Sequence, residues 1–125
     1  MRRGPKPLAA IGDAKKFAEK MGYFWEENTN PALPYDIFIF KKQNMSAVKV
    51  RVTRYSINPD DFYENLLPEE VAGMQSLPFP AIVLREIWLR TQHERTFRRL
   101  TVHEFGVGEI GFLLKDGYVN PHAKD

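Results

Sequence analysis

Residues 35–54 of the chain read YDIFIFKKQNMSAVKVRVTR, and they contain two segments with strand patterns. Residues 35–40 form an almost continuous apolar run that is too short for a helix and rich in β-forming residues. This run predicts an interior strand that is covered on both faces. Residues 47–54 alternate apolar residues with polar or basic ones at a period of two. One face of this second strand is therefore expected to lie in the core, while the other displays Lys49 and Arg51.

An amphipathic helix is predicted before these two strands. Apolar residues recur at three- and four-residue spacing over residues 8–21, and Gly22 follows at a position where helices commonly end. Gly12 is unfavourable inside a helix, so a start with Asp13 as the N-cap is an alternative. Residues 23–27 are expected to form a short strand.

The chain after residue 54 predicts a helix followed by two strands. Asn58 is a favourable N-cap before Pro59, and Pro68 is expected to break or restart the helix. Residues 81–90 and 96–105 have β-type composition and a short polar connection, which predicts antiparallel neighbours. The glycine-rich sequence that follows predicts a turn or a bulge. The expected order is helix, three strands, helix, two strands, in a fold of α/β (α+β) type.

Composition limits the size and the class of the protein. The 125 residues include 18 Lys plus Arg and 16 Asp plus Glu, for a net charge of +2, and they predict one domain over residues 8–119 between a basic tail (1–7) and a polar tail (120–125). There is no cysteine, which excludes disulfides, thiolate metal sites and cysteine catalysis. The absence of cysteine also agrees with a reducing compartment, so a cytoplasmic location is expected. No apolar run approaches the roughly 20 residues needed to span a bilayer, so no membrane partner is expected.

The order of a helix, three strands, a helix and a further strand resembles the core of the restriction-endonuclease-like fold of the PD-(D/E)XK nuclease superfamily. In that family an Asp opens the second strand, and a Glu-x-Lys triplet on the third strand points both side chains toward the cleft. Asp36 matches the Asp, and Lys49-Val50-Arg51 stands at the triplet. The resemblance implies a mixed sheet flanked by helices and a site where carboxylates hold Mg²⁺ while the lysine assists the attacking water.

The three matching positions depart from the chemistry of that family. Lys49 replaces the acid and brings a positive charge to the expected position of the cation. Arg51 replaces the lysine and stays protonated, so it cannot act as a base, although it can hold a phosphate. The resemblance therefore implies a degenerate, inactive site in which Asp36 pairs with one of the cations and no cofactor is bound. The expected function is association with nucleic acid, with DNA favoured over RNA.

Two alternatives remain open from the sequence. The first is an active Mg²⁺-dependent endonuclease in which Asp36 is a metal ligand and the missing acid comes from one of four residues: Glu19, Glu26, Glu27 or Glu64. The second is a protein-interaction or assembly module without nucleic acid, in which the last hairpin pairs with a partner or with a second copy of the chain.

A basic surface is the second functional signal. Arginines are concentrated between residues 85 and 99, whereas acids are concentrated between residues 60 and 70, which are expected to face away from that surface. The aromatic residues Trp88 and Phe97 are interpreted as core. The residues predicted to contact nucleic-acid phosphates are Arg54, Arg90, Arg95, Arg98 and Arg99.

Overall fold

The computed structural model describes residues 6–57, 62–114 and 117–119. Within these ranges the chain forms three helices and seven strands: α1 (Leu8–Lys20), β1 (Phe24–Glu27), β2 (Ile37–Lys41), β3 (Asn44–Thr53), α2 (Tyr63–Leu66), α3 (Pro68–Gln75), β4 (Val83–Thr91), β5 (Phe97–His103), β6 (Gly106–Leu114) and β7 (Gly117–Val119). The fold is therefore mixed α+β. The predicted helix start at Asn58 lies outside the described residues.

The described strands form one mixed sheet in the order β1-β2-β3-β4-β5-β6-β7. The β3–β4 pair is parallel, and the other described neighbours are antiparallel. A parallel pair needs a crossover connection, and the segment carrying α2 and α3 provides it. Strand β2 lies between β1 and β3, as the apolar run predicts for an interior strand.

Helices cover both faces of the sheet because apolar side chains alternate along the central strands. The α1 face carries one core cluster that includes Ile37, Ile39, Val48, Val50, Trp88 and Phe97. The α3 face carries a second cluster that includes Ala47, Ile87, Leu89 and Leu100 together with Val71 and Met74 of α3. The prediction that Trp88 and Phe97 are core residues is confirmed, since both are fully buried.

Helix α1 begins at Leu8, so the alternative start at Asp13 is wrong. It ends in a Schellman motif, because the amide of Tyr23 donates to the carbonyl of Ala18 at 2.9 Å and the amide of Gly22 donates to Glu19 at 3.0 Å. Gly22 has a φ of 85° there, which confirms its predicted role at the end of the helix.

Two glycine substitutions in this region should change stability in opposite directions. Gly22→Ala should lower the free energy of unfolding by about 1–2 kcal/mol, because it places a Cβ in the left-handed region. Gly12→Ala should raise it by roughly 0.5–1 kcal/mol, because residue 12 is helical and a Cβ there meets nothing within 4 Å. Urea denaturation followed by circular dichroism measures both. A stabilising Gly22→Ala would contradict this account of the helix end.

Several boundaries differ from those expected. Strand β3 starts at Asn44 rather than Ala47, because the turn after β2 needs only residues 42–43. Pro68 does restart the helix, since α2 ends at Leu66 and α3 begins at Pro68. Two strands, β6 and β7, lie beyond the predicted ones, and the register between β5 and β6 shifts at Arg99/Leu100. Among the described helices, none has the length and apolar content needed to cross a membrane.

Candidate functional site

Asp36 lies just before β2, and its side chain contacts the middle of β3. Its backbone amide donates to the carbonyl of Val48 at 2.8 Å, and its Oδ2 accepts the amide hydrogen of Val50 at 2.7 Å. The ammonium of Lys49 lies 3.6 Å from the same Oδ2. The Asp36 side chain is only 2% exposed, compared with 20% for Lys49. The structure therefore brings Asp36 together with Lys49, which is one of the two cations that the sequence offers as its partner.

Arg51 shares the α3 face with Lys49, because both alternate with Val48 and Val50 of the opposite cluster. Its Nε donates to Oε2 of Glu70 on α3 at 2.9 Å, while its side chain stays 43% exposed. Sequence reasoning missed Glu70 and placed the acids of residues 60–70 away from any cationic surface. The available signal was that Pro68 restarts the helix, which places Glu70 in the first turn of α3, facing Arg51.

The side chains at this site do not fit a bound Mg²⁺ ion. Magnesium requires several oxygen ligands, which carboxylates and water usually supply. Oδ2 of Asp36 already accepts a backbone amide, and the positive charge of Lys49, 3.6 Å from the same oxygen, would repel a cation bound there. Throughout the part of the chain that the structure describes, no three His, Asp or Glu side chains are grouped so that they could hold a metal ion.

The four glutamates that could supply the missing metal-binding acid lie in different parts of the fold. Glu19 on α1 accepts the indole N–H of Trp25 at 2.9 Å, on the opposite side of the sheet from Asp36. Glu27 pairs with Lys15 of α1, whose hydrogen bond and charge lower the pKa of that carboxyl.

Of the remaining two acids, one lies at a distant turn and the other near Asp36. Glu64 packs over the turn between β5 and β6, where its Oε2 lies 3.0 Å from the position of a Cβ at Gly106. Glu26 lies opposite Phe38 in the β1–β2 register, so it is exposed on the same face as Asp36. The structure therefore brings only Glu26, of these four, to the α3 face near Asp36.

Two of the five arginines that were predicted to bind phosphates are instead largely buried and form ion pairs with acidic side chains of the protein itself. Arg90 is 9% exposed, pairs with Asp13 of α1 at 2.9 Å and lies 4.7 Å from the centre of the Phe97 ring. Arg99 donates to both oxygens of Glu86, whose side chain is fully buried. Burial lowers the pKa of Arg99, but the hydrogen bonds and charges of Glu86 and, to a smaller extent, Tyr23 together outweigh burial and raise that pKa above its usual value.

The other three arginines lie closer to solvent. Arg98 pairs with Glu94 at 3.2 Å. Arg54 follows the end of β3, and Arg95 lies in the turn between β4 and β5 (residues 92–96). Both are exposed, and neither has an ion-pair partner among the described residues. The amide of Gln92 donates to the carbonyl of Thr53 at 3.0 Å, which fixes this turn beside the end of β3. We call this region, residues 53–55 and 92–96, the basic end of the sheet.

Comparison with known proteins adds no family or relative to these observations. No protein-family model matches the chain, and no curated protein matches it.

Proposed function

We propose that this protein is a nucleic-acid-binding domain with a nuclease-like arrangement of elements and no phosphodiester-cleaving site. The observation that carries the proposal is the use of Asp36. Its carboxylate lies beside the Lys49 ammonium at 3.6 Å and accepts the Val50 amide at 2.7 Å, so it stabilises the β2–β3 pair rather than offering oxygens to a metal. The element order, and the position of Asp36 and Lys49 on one face, support the resemblance to PD-(D/E)XK nucleases on which the proposal builds.

The affinity would come from cations near the end of β3. Arg54 and Arg95 are exposed at the basic end. Arg51, on β3, lies three residues before Arg54 and adds a further cation, with 43% of its side chain exposed. An ion pair as open to solvent as Arg51–Glu70 is weak, so a phosphate oxygen can replace the Glu70 carboxylate at little cost. Contacts of this kind are made to the backbone and are independent of base sequence.

Charge reversal at the basic end tests this proposal. The double variant Arg54→Glu/Arg95→Glu should bind a labelled DNA oligonucleotide more weakly at every salt concentration. The slope of log affinity against log salt should fall by about 2, because two phosphate contacts no longer release counterions. Fluorescence anisotropy at several salt concentrations measures both quantities.

A matched control carries the same change in net charge elsewhere. Lys20 is the last residue of α1 and Lys42 lies in the turn that precedes β3, and both are exposed. The Lys41 ammonium donates to the carbonyl of Met21 at 3.0 Å, so this end of α1 lies near the same turn. Because β3 is about 30 Å long, Lys42 is far from the basic end. Lys20→Glu/Lys42→Glu should keep most of the affinity and the slope. Equal losses in the two double variants would indicate only an effect of net charge, and they would overturn the assignment of the basic end.

A wild-type protein that binds no DNA or RNA would refute the proposed function. The protein-interaction module would then become the leading hypothesis, with the oligomeric state at two concentrations as its first measurement.

A further inference from the structure

The basic end of the sheet carries aromatic rings as well as cations. Tyr55 follows Arg54 directly, and it is 78% exposed. His93 and Arg95 are also exposed, on the neighbouring turn. Tyr55 makes no aromatic or cation–π contact with any of the described residues.

Hydrogen bonds fix the backbone on which these side chains stand. The amide of Tyr55 donates to Oγ1 of Thr53 at 3.3 Å, and the carbonyl of Thr53 accepts the amide of Gln92 at 3.0 Å. Across the turn, the amide of Thr91 donates to Oε1 of Glu94 at 2.8 Å. The two chain segments are thus held side by side before any ligand arrives, which lowers the entropy cost of binding.

An exposed aromatic ring beside arginines is better suited to bind a single strand of nucleic acid than a duplex. In a duplex the face of each base is covered by its neighbours, so a protein ring can reach a base face only at an end or a gap. In a single strand the bases are free to stack on an aromatic side chain while cations hold the backbone.

We propose that the basic end binds single-stranded nucleic acid, with Tyr55 stacking on one unpaired base and Arg54 and Arg95 contacting the adjacent phosphates. This inference rests on the proposed function and narrows its ligand to strands with unpaired bases.

Substitution of Tyr55 tests the stacking contact. With a labelled single-stranded oligonucleotide of about 12 nucleotides, Tyr55→Ala should raise the Kd roughly 5- to 100-fold, and Tyr55→Phe should stay within about 2-fold of wild type. Binding of a blunt duplex should change little in either variant. Phe105 is the matched control because it is 93% exposed in the β5–β6 turn, at the opposite end of β5 from the basic end. Phe105→Ala should bind the single strand like wild type.

A second ligand separates stacking from a structural effect of the substitution. An oligonucleotide of the same length with abasic units in place of its bases should bind wild type as weakly as the ordinary oligonucleotide binds Tyr55→Ala. The same abasic ligand should show no further loss with Tyr55→Ala, because the base and the ring act as one pair.

The outcomes distinguish this inference from the proposed function. Salt-dependent binding that is unchanged in Tyr55→Ala, or equally reduced in Phe105→Ala, would overturn the stacking site and leave the nucleic-acid-binding function in place. Preference for duplex over single strand would also overturn it. The absence of binding to any nucleic acid would overturn both.

Discussion

Glu86→Ala is expected to lower the free energy of unfolding by about 3–5 kcal/mol, the largest loss from a single substitution that we predict. The Glu86 side chain is fully buried, and its oxygens accept two hydrogen bonds from the Arg99 guanidinium and one from the indole of Trp88 at 3.0 Å. Removing the carboxylate leaves the Arg99 charge, only 13% exposed, without its carboxylate partner. Chemical denaturation followed by far-ultraviolet circular dichroism measures the loss.

Two companion variants make this result interpretable even if Glu86→Ala does not fold. Glu86→Met/Arg99→Met should recover part of the lost stability, because a buried ion pair can often be replaced by apolar side chains of similar volume, although the buried indole N–H of Trp88 still loses its acceptor. Glu70→Ala breaks the more open pair with Arg51, and it should cost less than about 1 kcal/mol. A loss below about 1 kcal/mol in Glu86→Ala would contradict the assignment of Arg99 to the fold.

Asp36→Ala should lower the free energy of unfolding by about 2–4 kcal/mol. The substitution leaves the buried amide of Val50 without the oxygen that now accepts its hydrogen at 2.7 Å, and it removes the partner of Lys49. Asp36→Asn should lose about half as much, because the amide oxygen of asparagine can still accept the Val50 hydrogen. The same denaturation experiment applies.

Glu26→Ala is the matched control, since it removes an exposed acid from the same face of the sheet, and its effect should lie within about 0.5 kcal/mol of zero. A substitution of Asp36 that stabilises the protein would contradict this structural role. Acids retained for catalysis often cost stability, so a variant at Asp36 that is more stable than wild type would indicate an active-site carboxylate.

Much of the fold could be predicted because its signals are local. The helical spacing of residues 8–21 and Gly22 located α1, and the run over residues 35–40 located β2. Strand β6 was missed because the glycines between 106 and 111 resemble a turn when read alone, whereas pairing with β5 makes this segment a strand. Strand β7 was missed with it, since β7 pairs with β6. Pairing across a sheet depends on the partner strand, and residue patterns alone do not report it.

The candidate site was only partly predictable, because some of its contacts join segments that are distant in the sequence. Two strand patterns and a resemblance predicted that Asp36 pairs with Lys49 or Arg51, and only the structure identifies Lys49 as the partner. The partners of the arginines did not, because Arg90 pairs with Asp13 and Arg99 pairs with Glu86 through contacts between distant segments. A run of basic residues looks the same whether its charges face solvent or are paired in the fold. Arg54 and Arg95 differ from Arg90 and Arg99 in exposure, which only the structure gives.

The most direct test of a binding domain without cleavage is one incubation of the wild-type protein with labelled single-stranded and duplex oligonucleotides. It contains Mg²⁺ or Mn²⁺, and the products are analysed both for complex formation and for strand length. We predict a salt-sensitive complex, stronger with the single strand, in which every oligonucleotide remains intact. Metal-dependent shortening of the oligonucleotides that disappears in Asp36→Asn would contradict the account and show that the site around Asp36 is catalytic.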